Sequence, residues 1–110
     1  MIEDTLAKIE SAIRKIEAAD KGKKSELVRL LGELKKEVRA LEGAAQEGAG
    51  SVAGFADAAA YEAMRRVPSP KLTRMALDAL TASAKEFETS HPALTRVVNE
   101  LCRELASLGI

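Results

Sequence analysis

Residues 27–41 read LVRLLGELKKEVRAL, and they carry the clearest structural signal in this chain of 110 residues. Their aliphatic side chains recur at alternating intervals of four and three, at Leu27, Leu31, Leu34, Val38 and Leu41. This heptad-like spacing is typical of a helix whose apolar stripe packs along a second helix, as in a coiled coil. Leu30 lies beside the stripe and widens it. The pattern therefore predicts a long amphipathic helix that begins near Ser25.

The N-terminal segment repeats this pattern. Its aliphatic residues follow the same alternation, at Ile2, Leu6, Ile9, Ile13 and Ile16. We expect Asp20-Lys21-Gly22-Lys23-Lys24 to end this helix, because glycine readily takes the left-handed conformation of a C-cap and lysines favour the negative end of the helix dipole. Two such helices with a short connection predict an antiparallel hairpin over residues 1–45, in which each helix covers the stripe of the other.

Residues 46–66 are rich in alanine and glycine and leave two structures open. The four-and-three spacing of the second helix continues into this segment. A single helix of about 60 Å over residues 25–65 is therefore possible. Against it stand three glycines within seven residues: Gly48, Gly50 and Gly54. Each costs up to about 1 kcal/mol relative to alanine inside a helix. This cost favours a break near Gly48–Gly50 and a new helix from Ser51.

The C-terminal segment, residues 70–110, predicts a pair of helices. Ser69-Pro70 supplies an N-cap and a first helical residue, and Ser90-His91-Pro92 starts the last helix. The first helix of the pair should turn these side chains inward: Leu72, Met75, Ala76, Leu80, Ala84 and Phe87. The last helix should bury a stripe of Leu94, Val98, Leu101, Leu105 and Leu108. Because no alternating β-branched run is present, the sequence predicts an all-α domain, the hairpin plus two or three further helices forming a bundle.

Charge and cysteine content exclude several classes of partner. The chain carries 17 basic and 17 acidic residues, and no segment forms the basic stripe that attracts nucleic acid or an anionic membrane. The longest stretch without a charged residue, Gly48 to Ala56, is far shorter than the ~20 residues of a membrane span. Cys102 is the single cysteine, so no disulfide can form within the chain and no oxidising compartment is implied. We therefore expect a soluble, cytoplasmic protein.

The sequence contains no residue set that is typical of catalysis, cofactor binding or metal binding. His91, the single histidine, is expected to be a turn residue at the start of the last helix, and Cys102 a small apolar residue beside its stripe. Along one helix the two would lie about 16 Å apart, too far for a nucleophile and its base. Two pairs of carboxylates have four-residue spacing, Glu33 with Glu37 and Glu100 with Glu104. Both pairs have basic neighbours, and neither pair belongs to a Glu-x-x-His motif. We expect a protein that is not an enzyme and holds no cofactor or metal.

Four short segments of the C-terminal half are distinctive. They read SVAGFA at 51–56, FETSHPAL at 87–94, VVN at 97–99 and LGI at 108–110. Together with the opening IEDTL, they resemble a family of short bacterial helical proteins that is catalogued only as a domain of unknown function. The resemblance covers most of the chain. It implies a bacterial cytoplasmic protein, and it implies no activity, substrate or catalytic residue.

The distribution of apolar residues predicts self-association. The hairpin helices cover each other, but further small and apolar positions need a partner surface: Leu30, Gly50, Val52, Gly54 and Phe55. The four-residue spacing of Gly50 and Gly54 would also let a second helix approach closely, with a flexible connection as the alternative. We expect these residues to form the interface of a homodimer with two-fold symmetry.

A binding module is the alternative function. In that case an apolar groove would take the amphipathic helix of a partner protein. Met64, Met75 and the Ala/Gly-rich segment would supply an adaptable surface, because methionine side chains are flexible and polarisable.

Overall fold

The described part of the structure consists of five α-helices. It is a computed structural model, and it describes residues 2–15 and 21–109. The helices are α1 (Ile2–Arg14), α2 (Lys21–Arg39), α3 (Ala45–Ala63), α4 (Pro70–Lys85) and α5 (Pro92–Gly109). No strand occurs within those ranges. The predicted all-α fold, a hairpin with further helices in a bundle, is confirmed.

Helices α1 and α2 form the predicted antiparallel hairpin. Lys35 Nζ lies 2.8 Å from Glu10 Oε2, and Arg39 near the end of α2 pairs with Glu3 near the start of α1. Later residues of α2 thus meet earlier residues of α1. The stripes are buried, at Leu6, Ile9 and Ile13 in α1 and at Leu27, Leu30, Leu31, Leu34 and Val38 in α2. Ile16, the last residue of the predicted α1 stripe, lies outside the described residues.

The second helix begins earlier than the sequence predicted. α2 starts at Lys21 and not near Ser25, so Gly22 lies in its first turn and does not cap α1. Glycine is tolerated better at a helix start than in a helix interior. Asp20, with which the predicted turn opened, lies outside the described residues.

A turn around Gly43 separates α2 from α3. Gly43 has a φ of 60°, in the left-handed region that glycine enters without a Cβ clash. The side-chain amide of Gln46 donates hydrogen bonds to the backbone oxygens of Val38 and Leu41, at 3.3 and 2.7 Å. These bonds satisfy carbonyls that the end of a helix leaves without an intrahelical partner. The prediction of a single helix over residues 25–65 is therefore wrong.

Helix α3 runs through the glycine-rich stretch without interruption. The break near Gly48–Gly50 was also predicted wrongly, because that stretch lies inside α3. Tertiary packing supplies most of the stability of a short helix, and here it outweighs the cost of the glycines. The side of α3 that faces the bundle is buried along its whole length, at Ala49, Val52, Ala53, Ala56, Ala59, Ala60 and Ala63.

Helices α3 and α4 form a second antiparallel pair. A short turn joins the end of α3 to the start of α4, and Gly48, near the start of α3, packs on Phe87 just beyond the end of α4. A Cβ at residue 48 would lie 2.9 Å from the Phe87 ring. The missing side chain thus permits a close approach that any other residue would obstruct.

The starts of α4 and α5 agree with the sequence prediction. Ser69 Oγ accepts a hydrogen bond of 3.3 Å from the backbone N–H of Leu72, and Pro70 is the first residue of α4. The carbonyl of His91 accepts a backbone hydrogen bond from the first turn of α5, directly before Pro92. Proline is favoured here because a first-turn N–H would have no intrahelical acceptor.

The five helices pack as a closed ring. α1 contacts α2 and α3, α2 contacts α5, α4 lies between α3 and α5, and α3 also touches α5. The stripe of α5 is buried among them, at Leu94, Val97, Val98, Leu101 and Leu105. Most of the apolar stripes are therefore covered within one chain, which limits the surface that a second copy could use.

Candidate interaction surface

The outward face of α3 is apolar and consists mostly of small residues. Its members are exposed and lie on one side of the helix: Gly50, Gly54, Phe55, Ala58 and Tyr61. Phe55 is 41% exposed and Tyr61 is 64% exposed. A Cβ built on Gly50 or Gly54 would meet no atom within 4 Å. The backbone of α3 is thus open to close approach from outside.

Few charges interrupt this face. Asp57 pairs with Lys8 of α1, with 3.3 Å between the carboxylate and the ammonium group. Glu62 pairs with Arg65 in the same way, at 2.9 Å. The third charged residue of α3, Glu47, lies in its first turn. The middle of the outward face therefore presents apolar surface to its surroundings.

The structure divides the five predicted interface residues into two groups. Leu30 and Val52 are fully buried within the chain, so their prediction as interface residues is wrong. The sequence could not show that α5 packs on α2, or that α3 contacts three other helices. Gly50, Gly54 and Phe55 are exposed on α3 and remain candidates.

Of two exposed apolar residues of α4, Leu72 was missed as a candidate, and Met75 was named only for the alternative binding module. Leu72 and Met75 were predicted to point inward, but their side chains are 43% and 57% exposed. The buried residue of that turn is instead Thr73, with no exposed surface. Because Thr73 is polar, the hydrophobic pattern did not mark it as buried. The predicted buried stripe of α4 was therefore displaced toward the larger apolar residues Leu72 and Met75.

Leu72 lies on the side of α4 that faces α3, and Met75 lies on its outward side. Thr81 of α4 touches Cys102 of α5, with 3.5 Å between Oγ1 and Sγ, which marks the edge of α4 next to α5. At 100° per residue, Leu72 and Met75 lie more than about 100° around the helix from Thr81. Because α4 lies between α3 and α5, Leu72 is on the α3 side, whereas Met75 lies nearly opposite the buried residues Thr73, Leu80 and Ala84 and points outward.

Phe55 lies on the facing edge of α3. It follows Gly48 by one heptad, and residues seven apart lie nearly in line along a helix. Gly48 packs on Phe87 at the end of α4, so Phe55 is also on the α4 side of α3. We call the exposed apolar region that spans both helices the α3–α4 outer surface, and it comprises Gly54, Phe55, Ala58, Leu72 and Met75.

A groove between α1 and α3 borders this surface. It has a volume of about 370 Å³. Its floor is formed largely by small and aliphatic residues: Ile9, Ala12, Gly54, Ala58, Ala60 and Met64. Tyr61 and the Lys8–Asp57 ion pair lie at its rim. Met64 thus belongs to this groove, whereas Met75 belongs to the α3–α4 outer surface.

One member of the carboxylate pairs, Glu33, forms an ion pair with an arginine. Arg29 Nη1 lies 2.7 Å from Glu33 Oε1, and the same guanidinium binds Glu26. Its hydrogen bond to Glu26 raises the pKa of Arg29 above its usual value, and the field of Glu100 adds to this shift. Within the described ranges, no group of three His, Cys, Asp or Glu side chains is arranged to hold a metal ion.

His91 and Cys102 occupy the structural positions expected of them. His91 Nδ1 lies 3.0 Å from Ser90 Oγ, and its ring packs edge-on against Phe87 with 5.9 Å between the centroids. Cys102 lies against Leu77 and Thr81 of α4. Burial raises the pKa of the Cys102 thiol, which disfavours the reactive thiolate.

Comparison with known proteins identifies the family and nothing further. A family model described as "Domain of unknown function (DUF4404)" matches residues 2–110. The chain belongs to this family. The resemblance to a domain of unknown function that the sequence suggested is thereby confirmed. No curated protein and no solved structure matches the chain.

The family description names no activity, so a function has to be inferred from the surface of the protein. Within the residues that the structure describes, none of the five helices combines the length and apolarity needed to cross a membrane. The exposed apolar side chains on α3 and α4 are the feature that indicates a binding partner.

Proposed function

We propose that this chain is a non-catalytic helical protein that self-associates as a homodimer through the α3–α4 outer surface. The observation that supports this proposal is the exposure of three large apolar side chains, Phe55, Leu72 and Met75, on two adjacent antiparallel helices. Single exposed apolar residues are common, but contiguous groups on monomeric proteins are small and often functional.

A second copy is the occupant that the shape of α3 favours. Gly54 and Ala58 lie one turn apart on the outward face, and nothing lies within 4 Å of a Cβ built on Gly54. Small residues one turn apart let helix backbones approach closely. Phe55 beside them supplies a large side chain to pack against the small residues of the other copy. A surface that carries small residues next to a large side chain can be complementary to a second copy of itself across a two-fold axis.

Charged substitutions on this surface test the proposal. Phe55→Asp and Met75→Glu should each shift the dimer to the monomer mass of 11.8 kDa, because a carboxylate would be buried without a partner in the interface. Size-exclusion chromatography with light scattering measures the mass. Ala40→Glu, at an exposed position in the turn after α2, is the matched control and should remain dimeric. A Phe55→Asp protein with the same mass as wild type would contradict the proposed interface.

The groove between α1 and α3 favours a second candidate function, the binding of an amphipathic helix from another protein. Its apolar floor and its volume of about 370 Å³ suit a few large side chains of such a helix. Ala12→Glu would place a carboxylate on this floor. It should abolish a stoichiometric heterologous complex and leave the homodimer mass unchanged. If Ala12→Glu has no effect on that complex, the groove is not its site.

The setting of the protein is part of the same proposal. We infer a bacterial cytoplasmic protein, supported by the family resemblance and by the single cysteine, Cys102. Fractionation of a bacterial host that carries the native gene would test this, since recovery of the chain outside the cytoplasm would contradict it.

A further inference from the structure

We propose that the two copies dock antiparallel, with the basic end of each α3–α4 pair against the acidic end of the other. This inference rests on the proposed self-association, and it specifies the partner and its orientation. The acidic end comprises residues 42–51 and 81–91, where α3 begins and α4 ends. The basic end comprises residues 61–75, where α3 ends and α4 begins.

Most charges of the α3–α4 pair lie at its two ends, and only Asp57, which pairs with Lys8, and the exposed Asp78 lie in its middle. The acidic end has four acidic residues and one basic residue, Lys85. The acids are Glu42, Glu47, Glu86 and Glu88. The basic end has four basic residues, Arg65, Arg66, Lys71 and Arg74, and one acidic residue, Glu62. The pair therefore carries opposite net charges at its ends, although the whole chain has no net charge.

The groups that matter are exposed at each end. Glu47 and Glu86 line a shallow pocket at the start of α3, together with Ser51. At the other end, Arg66 and Lys71 are exposed. Gly54, Phe55 and Ala58 lie between these two charged regions, whereas Leu72 and Met75 lie within the basic end itself. The middle of α3 therefore has acidic residues on one side and basic residues on the other.

Two-fold symmetry allows two ways to place such surfaces face to face. If the axis runs along the helices, each end meets the same end of the second copy, so acid faces acid and base faces base. If the axis crosses the helices, each end meets the opposite end. Like charges brought together weaken association and opposite charges steer it. The charge pattern therefore favours the antiparallel arrangement, with Gly54 and Phe55, near the middle of α3, closest to the axis.

A different partner could also use the basic end. Val67 is 78% exposed between Arg66 and Pro68, and an exposed apolar residue beside cations is a feature of surfaces that bind anionic lipids. The acidic end at the far side of the same apolar surface has no role in lipid binding. A second copy explains why the two ends carry complementary charges. Binding to anionic lipids is a separate outcome that the test below distinguishes.

Cross-linking through single cysteines distinguishes the two arrangements. Glu47→Cys and Lys71→Cys are made separately in a Cys102→Ser background, and both positions are exposed. A short bismaleimide should link the dimer efficiently only when the two variants are mixed, because residue 47 of one copy then lies near residue 71 of the other. Efficient linking of either variant with itself, and no link between residue 47 and residue 71 in the mixture, would overturn the antiparallel arrangement.

Charge reversal supplies an independent readout. Glu47→Lys/Glu86→Lys and Arg66→Glu/Lys71→Glu should each raise the dimer Kd about tenfold at low salt, and an equimolar mixture of the two should restore tight association. Phosphatidylserine vesicles are added in parallel. If the Arg66→Glu/Lys71→Glu protein dimerises as wild type does but no longer binds these vesicles, the basic end is a lipid surface and the proposal is wrong.

The two proposals fail in different ways. A wild-type protein that is monomeric at about 100 µM in light scattering removes both the homodimer and its orientation. If wild type is dimeric but the cysteine variants cross-link only between like ends, the homodimer stands and the antiparallel arrangement is removed. If wild type is dimeric and the variants link residue 47 to residue 71 only when mixed, both proposals are supported.

Discussion

At the scale of single residues, two buried or half-buried threonines show how polar groups are accommodated in this bundle. Thr95 Oγ1 donates a hydrogen bond of 3.1 Å to the backbone oxygen of Ala84, which ties α5 to the end of α4. Thr73 is fully buried, and its hydroxyl has no hydrogen-bond partner. A buried polar group without a partner costs free energy, whereas a bonded one contributes to stability.

Replacing each threonine by valine should therefore have opposite effects. Thr73→Val keeps the shape of the side chain and removes the unpaired hydroxyl, so it should stabilise the fold by about 1 kcal/mol. Thr95→Val removes the bond to Ala84 and should destabilise the fold by about 1 kcal/mol. Urea denaturation followed by circular dichroism measures both. Destabilisation by Thr73→Val would show that its hydroxyl has a partner in solution.

The ion pairs of Glu10 predict that the stability of the fold depends on pH. Hydrogen bonds from Lys35 and then from Arg14 lower the pKa of Glu10 below its usual 4.5. The unfolded chain therefore takes up this proton at a higher pH than the folded chain does. The stabilisation is fully present above about pH 5 and is lost as the pH falls through the lowered pKa of the folded state.

Glu10→Gln should destabilise the fold by about 0.5–1 kcal/mol at pH 7, and this difference should shrink toward zero near pH 3. Urea denaturation at both pH values is the measurement. Glu88→Gln, at an exposed position, is the control and should change the free energy of unfolding by less than about 0.5 kcal/mol at either pH. An undiminished effect of Glu10→Gln at pH 3 would rule out the ion pair as its cause.

At the scale of elements, the sequence predicted which segments are helical better than where they break. Repeated aliphatic spacing located α1, α2 and α5, because each has a stripe wide enough to be recognised without its neighbours. The break before α3 was misplaced because glycine has two opposite uses. Gly43 provides a left-handed turn, whereas Gly48 allows close packing on Phe87 inside a helix.

Alanine substitutions separate these uses of glycine. Gly43→Ala should destabilise the fold by about 1 kcal/mol, because alanine is strained at a φ of 60°. Gly50→Ala, where no atom lies within 4 Å of the added Cβ, should stabilise it by up to about 1 kcal/mol through better helix propensity. Thermal or urea unfolding measures both. A stabilised Gly43→Ala protein would mean that this turn is not formed as described.

At the scale of the whole molecule, the order of helices in the ring could not be predicted from the sequence. Apolar stripes show that helices pack, but they do not show which helix covers which. For that reason Leu30 and Val52 were predicted at an interface although the chain itself buries them. For the same reason Leu72 and Met75 were predicted inside although they are exposed. Gly50, Gly54 and Phe55 are exposed on α3, so their assignment to an interface stays a prediction.

Self-association is the property of the whole molecule on which the proposed function depends. Sedimentation equilibrium over a dilution series, from about 100 µM to below 1 µM, tests it most directly. We predict a mass that rises with concentration from 11.8 kDa to twice that value for wild type, and a constant 11.8 kDa for Phe55→Asp. A wild-type mass that stays at 11.8 kDa over the whole series would contradict the homodimer.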